Sequence, residues 1–219
     1  LALVRETVAR SQAARGWRHP VRIVGVTKTH GPEAVRAAVA AGLRDVGENR
    51  VQEALEKQQA LTDLLVEWHL IGTLQRNKAR NAVGRFALIH SVDRMDLAAE
   101  LDRRSTGGGR QKVLVQVNCS AEPQKGGVAP GLLPALLDEL QKLERLEVQG
   151  LMTMSALTDD PEEQRRAFRL LRELREAAEL SGHRLPELSM GMSGDYAIAV
   201  EEGATMIRLG TVLFGARET

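Results

Sequence analysis

Short apolar runs alternate with longer amphipathic stretches along almost the whole chain. The runs fall at 22–26, about 44–47, 66–71, 87–91, 112–118, 146–152, 186–189 and 205–208, eight in all. One of them, Lys112-Val113-Leu114-Val115-Gln116-Val117-Asn118, is β-branched and continuous rather than alternating, as expected of a parallel strand covered by helices. Between the runs the helical punctuation is clear. Gly31-Pro32-Glu33 opens a helix that Gly42 closes, with proline at the first helical position and glycine just past the end. Asp160-Pro161-Glu162-Glu163 opens another with a cap, a proline and two first-turn acids. Its stripe of Ala167, Leu170, Leu171, Leu174, Ala177 and Ala178 carries it to about Ser181-Gly182. A further helix is expected at about 2–15, ahead of the first strand.

Eight strands alternating with helices predict an α/β fold, a (β/α)8 TIM barrel with an extra N-terminal helix, forming one domain over residues 1–219. An open doubly wound sheet is the alternative, but no G-x-G-x-x-G follows the first strand. In a barrel the carboxyl ends of the strands converge on one mouth, and Lys28, Asn49, His69, Gly72, Asn118, Met152, Ser193 and Arg208 all fall at or just beyond such ends. Asp93, Asp159 and Asp160 read as helix caps, and Arg76-Asn77-Lys78-Ala79-Arg80 as a solvated helix start.

Composition narrows the function. Thirty Lys plus Arg against 29 Asp plus Glu leave a formal charge of +1, so no global field recruits nucleic acid or an anionic membrane, and anion binding must be local. The single cysteine, Cys119, excludes an intrachain disulfide, and no Cys/His spacing suggests a metal site. With strand-sized apolar runs and neither a signal peptide nor a membrane span expected, a reducing cytoplasmic setting is the simplest reading.

The candidate chemistry starts at Lys28, an amine that ends the strand Arg22-Ile23-Val24-Gly25-Val26. Near the C-terminus, Ser189-Met190-Gly191-Met192-Ser193-Gly194 and Arg208-Leu209-Gly210-Thr211 supply small residues, hydroxyls and a guanidinium. Such a set suits an aldehyde cofactor held as a Schiff base and carrying a phosphate. Burial beside other cations would lower the Lys28 pKa and favour attack on the aldehyde. Ser193 reads as the N-cap of a helix reaching about Glu202-Gly203, whose first amides suit a phosphate, with Gly210 and Thr211 closing the cup. Met192 joins this phosphate group.

The segments Val26-Thr27-Lys28, Gly47-Glu48-Asn49-Arg50-Val51-Gln52-Glu53, Trp68-His69-Leu70-Ile71-Gly72, Leu74-Gln75-Arg76-Asn77-Lys78, Ser189-Met190-Gly191-Met192-Ser193 and Arg208 through Thr211 with Phe214-Gly215-Ala216-Arg217 span nearly the whole chain. In this order they resemble the YggS/PROSC family, the pyridoxal 5′-phosphate (PLP) homeostasis proteins, whose barrel is similar to that of alanine racemase. It departs at Thr73, Ala197 and His30, positions expected on the rim of the site.

The resemblance implies that Lys28 is the Schiff-base residue and that Arg208 faces the pyridine nitrogen. It places Asn49 near the phenolic oxygen, His69 near the ring and Met152 beneath it. From the residues alone Asn49 reads equally as a helix cap, His69 as a satisfied core histidine and Met152 as core. A guanidinium donates a hydrogen bond but hands over no proton, so Arg208 weakens the ring as an electron sink. The resemblance further implies a monomeric, non-catalytic handler of PLP, with no catalytic residue and PLP-dependent apo-enzymes as the partners a delivery role would serve. The alternative is an amino-acid racemase-like enzyme, for which a second acid-base group would be required opposite Lys28. The only tyrosine, Tyr196, falls in the helix after the phosphate loop, where a packing role is expected.

Overall fold

Each expected apolar run becomes a strand in the computed structural model, which describes residues 1–120, 122 and 125–215. The strands are β1 (Arg22–Val26), β2 (Asp45–Glu48), β3 (Glu67–Leu70), β4 (Leu88–Val92), β5 (Gln111–Gln116), β6 (Leu146–Met152), β7 (Glu187–Ser189) and β8 (Met206–Leu209). They close in sequence order into a parallel barrel. β1 completes the ring by pairing with β2 on one side, Gly25 opposite Val46, and with β8 on the other, Val24 opposite Arg208. The expected (β/α)8 barrel is the observed architecture.

The helices are α1 (Ala2–Arg15), α2 (Pro32–Ala40), α3 (Val51–Ala60), α4 (Ala79–Ala82), α5 (Met95–Arg104), α6 (Leu133–Leu140), α7 (Pro161–Leu180), α8 (Tyr196–Glu201) and α9 (Thr211–Phe214). Pro32 begins α2, and the Asp160 carboxylate accepts the Glu162 amide at 2.9 Å to start α7, both as the sequence expects. Asp93 does not cap: it pairs with Arg94 at 2.7 Å, and Arg94 stands at the start of α5 without a side-chain cap. The extra helix α1 packs on α8, and the Trp17 indole after it donates to the Glu201 carbonyl at 2.9 Å. Among the described residues no helix is long and apolar enough to cross a membrane.

Strand periodicity sorts side chains between two cores. Ile89, Val113, Val115, Leu151, Leu188, Ile207 and Leu209 face the helix layer in one large cluster, while Val24, Leu88, Leu114, Met152 and Met206 cluster inside the barrel. The inner face is unusual in carrying polar groups too. His90 lies two residues from Leu88 and Arg208 two from Met206, so both share the inner face with apolar neighbours. On the outer side of β2, Glu48 is fully buried and bonded to the α3 residue Lys57 at 2.6 Å and to the Thr27 hydroxyl at 2.5 Å.

Candidate functional site

At the carboxyl ends of the strands lies a cavity of about 420 Å³. Of the nine expected site residues, Lys28, Asn49, Met192, Ser193, Arg208, Gly210 and Thr211 line it, arriving from β1, β2, β7 and β8. The strand ends bring them there because each follows its strand's last paired residue or occupies its inner face. Lys28 sits just past β1, where the chain turns through Thr29 at φ 68°, a left-handed conformation rare for a β-branched residue. The His30 amide closes this turn on the Thr27 carbonyl at 3.1 Å. Asn49 is held close to the end of β3 by Gly72, where an added Cβ would come within 2.2 Å of the Asn49 carbonyl oxygen.

The Ser193 hydroxyl plays a different part from the N-cap that the sequence suggests. Asp195 stands at the start of α8. Ser193 Oγ instead accepts the amides of Gly210 at 3.2 Å and Val212 at 3.3 Å, tying the loop after β7 to the turn that begins α9. Gly191, at φ 93°, lets that loop run against α8, since a Cβ there would lie 2.6 Å from the Ala199 methyl. Asp195, to which sequence reasoning gave no role, is the brace beneath: it accepts the Met192 amide and the Ser155 hydroxyl, each at 2.5 Å.

Arg208 is 5% exposed. It donates to Ser189 Oγ at 2.7 Å and to the Thr153 carbonyl at 2.9 Å, which fixes the plane of the guanidinium and leaves further N–H groups on a side chain that lines the cavity. Burial pushes its pKa down to about 10, with Asp195 acting in the other direction, so it stays charged at neutral pH. Cys119 is not a nucleophile here, because burial pushes its thiol up to about 11.

Two expected residues lie elsewhere. His69 does not reach the cavity: β3 continues past it, and its ring hydrogen-bonds Asp45 and His90 inside the barrel, lining a second cavity at the opposite mouth. Met152 is 1% exposed and packs one layer down, with Val24, Leu88, Leu114 and Met206. The methionine that lines the cavity is Met154, two residues on and past the end of β6. Gln116 and Thr73 also line it, and Gln116 donates to the Gly126 carbonyl at 2.7 Å, anchoring the loop after β5 beside the site. Strand alternation could have singled out Met154 and Gln116, since both continue the inner face toward the mouth. Tyr196 packs behind Gly191. Ala216 and Arg217 lie outside the described residues.

The chain matches the family described as alanine racemase, N-terminal domain, over residues 6–218. It is 46% identical over 209 residues to the pyridoxal phosphate homeostasis protein of Aquifex aeolicus, covering 94% of this chain and 91% of the relative. It is 42% identical to PipY of Synechococcus elongatus, solved with PLP bound, at a TM-score of 0.84 over 95% of this chain and 100% of that one. An alanine racemase of Clostridium difficile aligns with a TM-score of 0.77 at 15% identity, over 98% of this chain and 61% of the racemase, a likeness of fold.

Proposed function

The chain belongs to the alanine racemase N-terminal domain family and, within it, to the pyridoxal phosphate homeostasis proteins, and from that premise we propose that it is a carrier of pyridoxal 5′-phosphate. In this reading it is a single-domain, monomeric, cytoplasmic barrel that holds the cofactor on Lys28 and turns over no dedicated substrate. One observation carries the proposal: an amine, a buried guanidinium and the hydroxyl residues Ser193 and Thr211 share one cavity of about 420 Å³, within the usual size range of a small-molecule site.

The residues fit the group. The cofactor supplies an aldehyde to which an amine adds reversibly, and Lys28 is the amine at the cavity wall. Ser193, Gly210 and Thr211, with Met192 beside them, take the phosphate end. The turn is pre-shaped by the bonds from the Gly210 and Val212 amides to Ser193. Asn49 takes the phenolic oxygen and Arg208 the ring nitrogen. Because Arg208 stays protonated, it donates a hydrogen bond there and transfers no proton. That holds the cofactor without drawing electrons into the ring, which suits storage and delivery to PLP-dependent apo-enzymes better than turnover.

The racemase reading would need an acid-base group facing Lys28, and Tyr196, packed behind Gly191, does not line the cavity. The test is to load the purified chain with one equivalent of PLP, offer L-alanine and other L-amino acids, and follow the D-enantiomers by chiral chromatography alongside transfer of the cofactor to an apo-aminotransferase. Stoichiometric binding and reactivation of the acceptor without multiple turnovers are expected. Accumulation of a D-amino acid over many turnovers would overturn the carrier assignment.

A further inference from the structure

A line of hydrogen bonds crosses the barrel from Arg208 to the mouth opposite the cofactor cavity. Arg208 donates to Ser189 Oγ at 2.7 Å, and Ser189 Oγ lies 3.0 Å from His90 Nδ1. His90 Nε2 lies 2.9 Å from His69 Nδ1, and His69 Nε2 lies 3.0 Å from Asp45 Oδ1. The five residues come from β8, β7, β4, β3 and β2, so the line is a property of the closed barrel and of no single element.

The two ends set its direction. A guanidinium only donates and a carboxylate only accepts, while a neutral imidazole has one donor and one acceptor. Ser189 therefore receives from Arg208 and gives its own proton to His90 Nδ1. His90 Nε2–H gives to His69 Nδ1, and His69 Nε2–H gives to Asp45. Both rings are then the same tautomer, and every dipole turns its negative end toward Arg208. Burial keeps His90 neutral, helped by the neighbouring His69, Arg208 and Arg22.

Inner positions of such barrels are ordinarily filled with branched apolar side chains, and burying polar groups is costly unless every one is paired. Here each member of the line has its partner. Arg208 also makes no ion pair among the described residues: its hydrogen-bond partners are the neutral oxygens of Ser189 and Thr153. The remote end opens to a polar cavity of about 330 Å³, where Asp45 is 23% exposed and faces Arg22 at 3.8 Å, with Glu67, Lys112 and Glu187 around it.

We propose that Asp45, His69, His90 and Ser189 are positioning residues, an oriented relay that starts from Asp45 on the far mouth and aims the Arg208 guanidinium into the cofactor cavity. This rests on the proposed function only in taking Arg208 as the group that meets the cofactor. Changes at one mouth of the barrel are thereby felt at the cofactor ring in the other.

The test is ¹⁵N NMR of the full chain labelled at its histidine nitrogens, recorded with and without PLP, beside PLP titrations. In the wild-type chain both His69 and His90 should carry the proton on Nε2 with Nδ1 bare, even before cofactor is added. Asp45→Asn, nearly isosteric, should mix the tautomers and weaken PLP binding about fivefold, the worth of one modest hydrogen bond. Glu67→Gln, which removes a charge from the same mouth but not from the relay, should match the wild type in both readouts. Protonation of His90 at Nδ1, or a doubly protonated His69, would reverse the relay and overturn the proposal, as would equal weakening by Asp45→Asn and Glu67→Gln. The wild-type tautomers decide the direction even if a variant fails to fold. Correct tautomers in a chain that binds no PLP would support the relay and sink the carrier reading instead.

Discussion

Burial pushes the Arg208 guanidinium down to about 10, and two of its donors are spoken for by Ser189 and Thr153. A lysine at this place would keep the charge but lose the planar fork, so it could not brace against both oxygens and still present a donor to a ring nitrogen. Arg208→Lys is therefore expected to lower PLP affinity by about tenfold, the loss of one charge-assisted hydrogen bond, with the fold intact. Fluorescence or absorbance titration checks this, and unchanged affinity would remove Arg208 from contact with the cofactor. Ser193 shows the limit of reading one residue against its nearest helix. Its hydroxyl serves amides seventeen and nineteen positions away, at Gly210 and Val212, a pairing that only closure of β7 against β8 creates.

Elements were the most legible level. All eight apolar runs became strands near their expected places, and the proline, glycine and Asp160 signals set the starts of α2 and α7, because these patterns are local physics. Depth within a strand was not legible: His69 and Met152 point inward as expected of site residues, yet Met152 packs below the mouth and His69 lines the cavity at the opposite one, and only the stagger of the closed ring fixes those depths. Nor did the sequence mark the packing of α3 on β2. There the buried Glu48 meets Lys57 at 2.6 Å, and its other oxygen has no hydrogen-bond partner among the described residues. Lys57→Ala would leave that carboxylate uncompensated, with an expected loss of about 3–5 kcal/mol, read as a lower urea midpoint. Changing both Glu48 and Lys57 to apolar residues should recover most of the loss, and a single-variant effect below about 1 kcal/mol would show that the pair contributes little.

At the scale of the whole molecule, the barrel interior couples stability to pH. Folded His90 is kept neutral by burial, so its pKa lies well below its ordinary 6.5, whereas the unfolded chain takes up a proton there as pH falls. The unfolded state then binds more protons, so this stability is present above about pH 6.5 and is lost progressively below it, approaching about 1.4 kcal/mol per pH unit. Urea unfolding at about pH 7.5 and pH 5.5 should show the drop, and His90→Phe should flatten it; equal slopes in the two chains would contradict a neutral His90. The same closed ring brings Lys28, Asn49, Ser193, Arg208 and Thr211 from distant stretches of sequence to one mouth, and the carrier reading stands or falls on what Lys28 does there. The most direct measurement is to add PLP to the purified chain, reduce with borohydride and map the labelled peptide by mass spectrometry, with Lys28→Ala alongside. Label confined to Lys28, and absent from the folded variant, is the predicted result. Label spread over surface lysines, or undiminished in the variant, would contradict it.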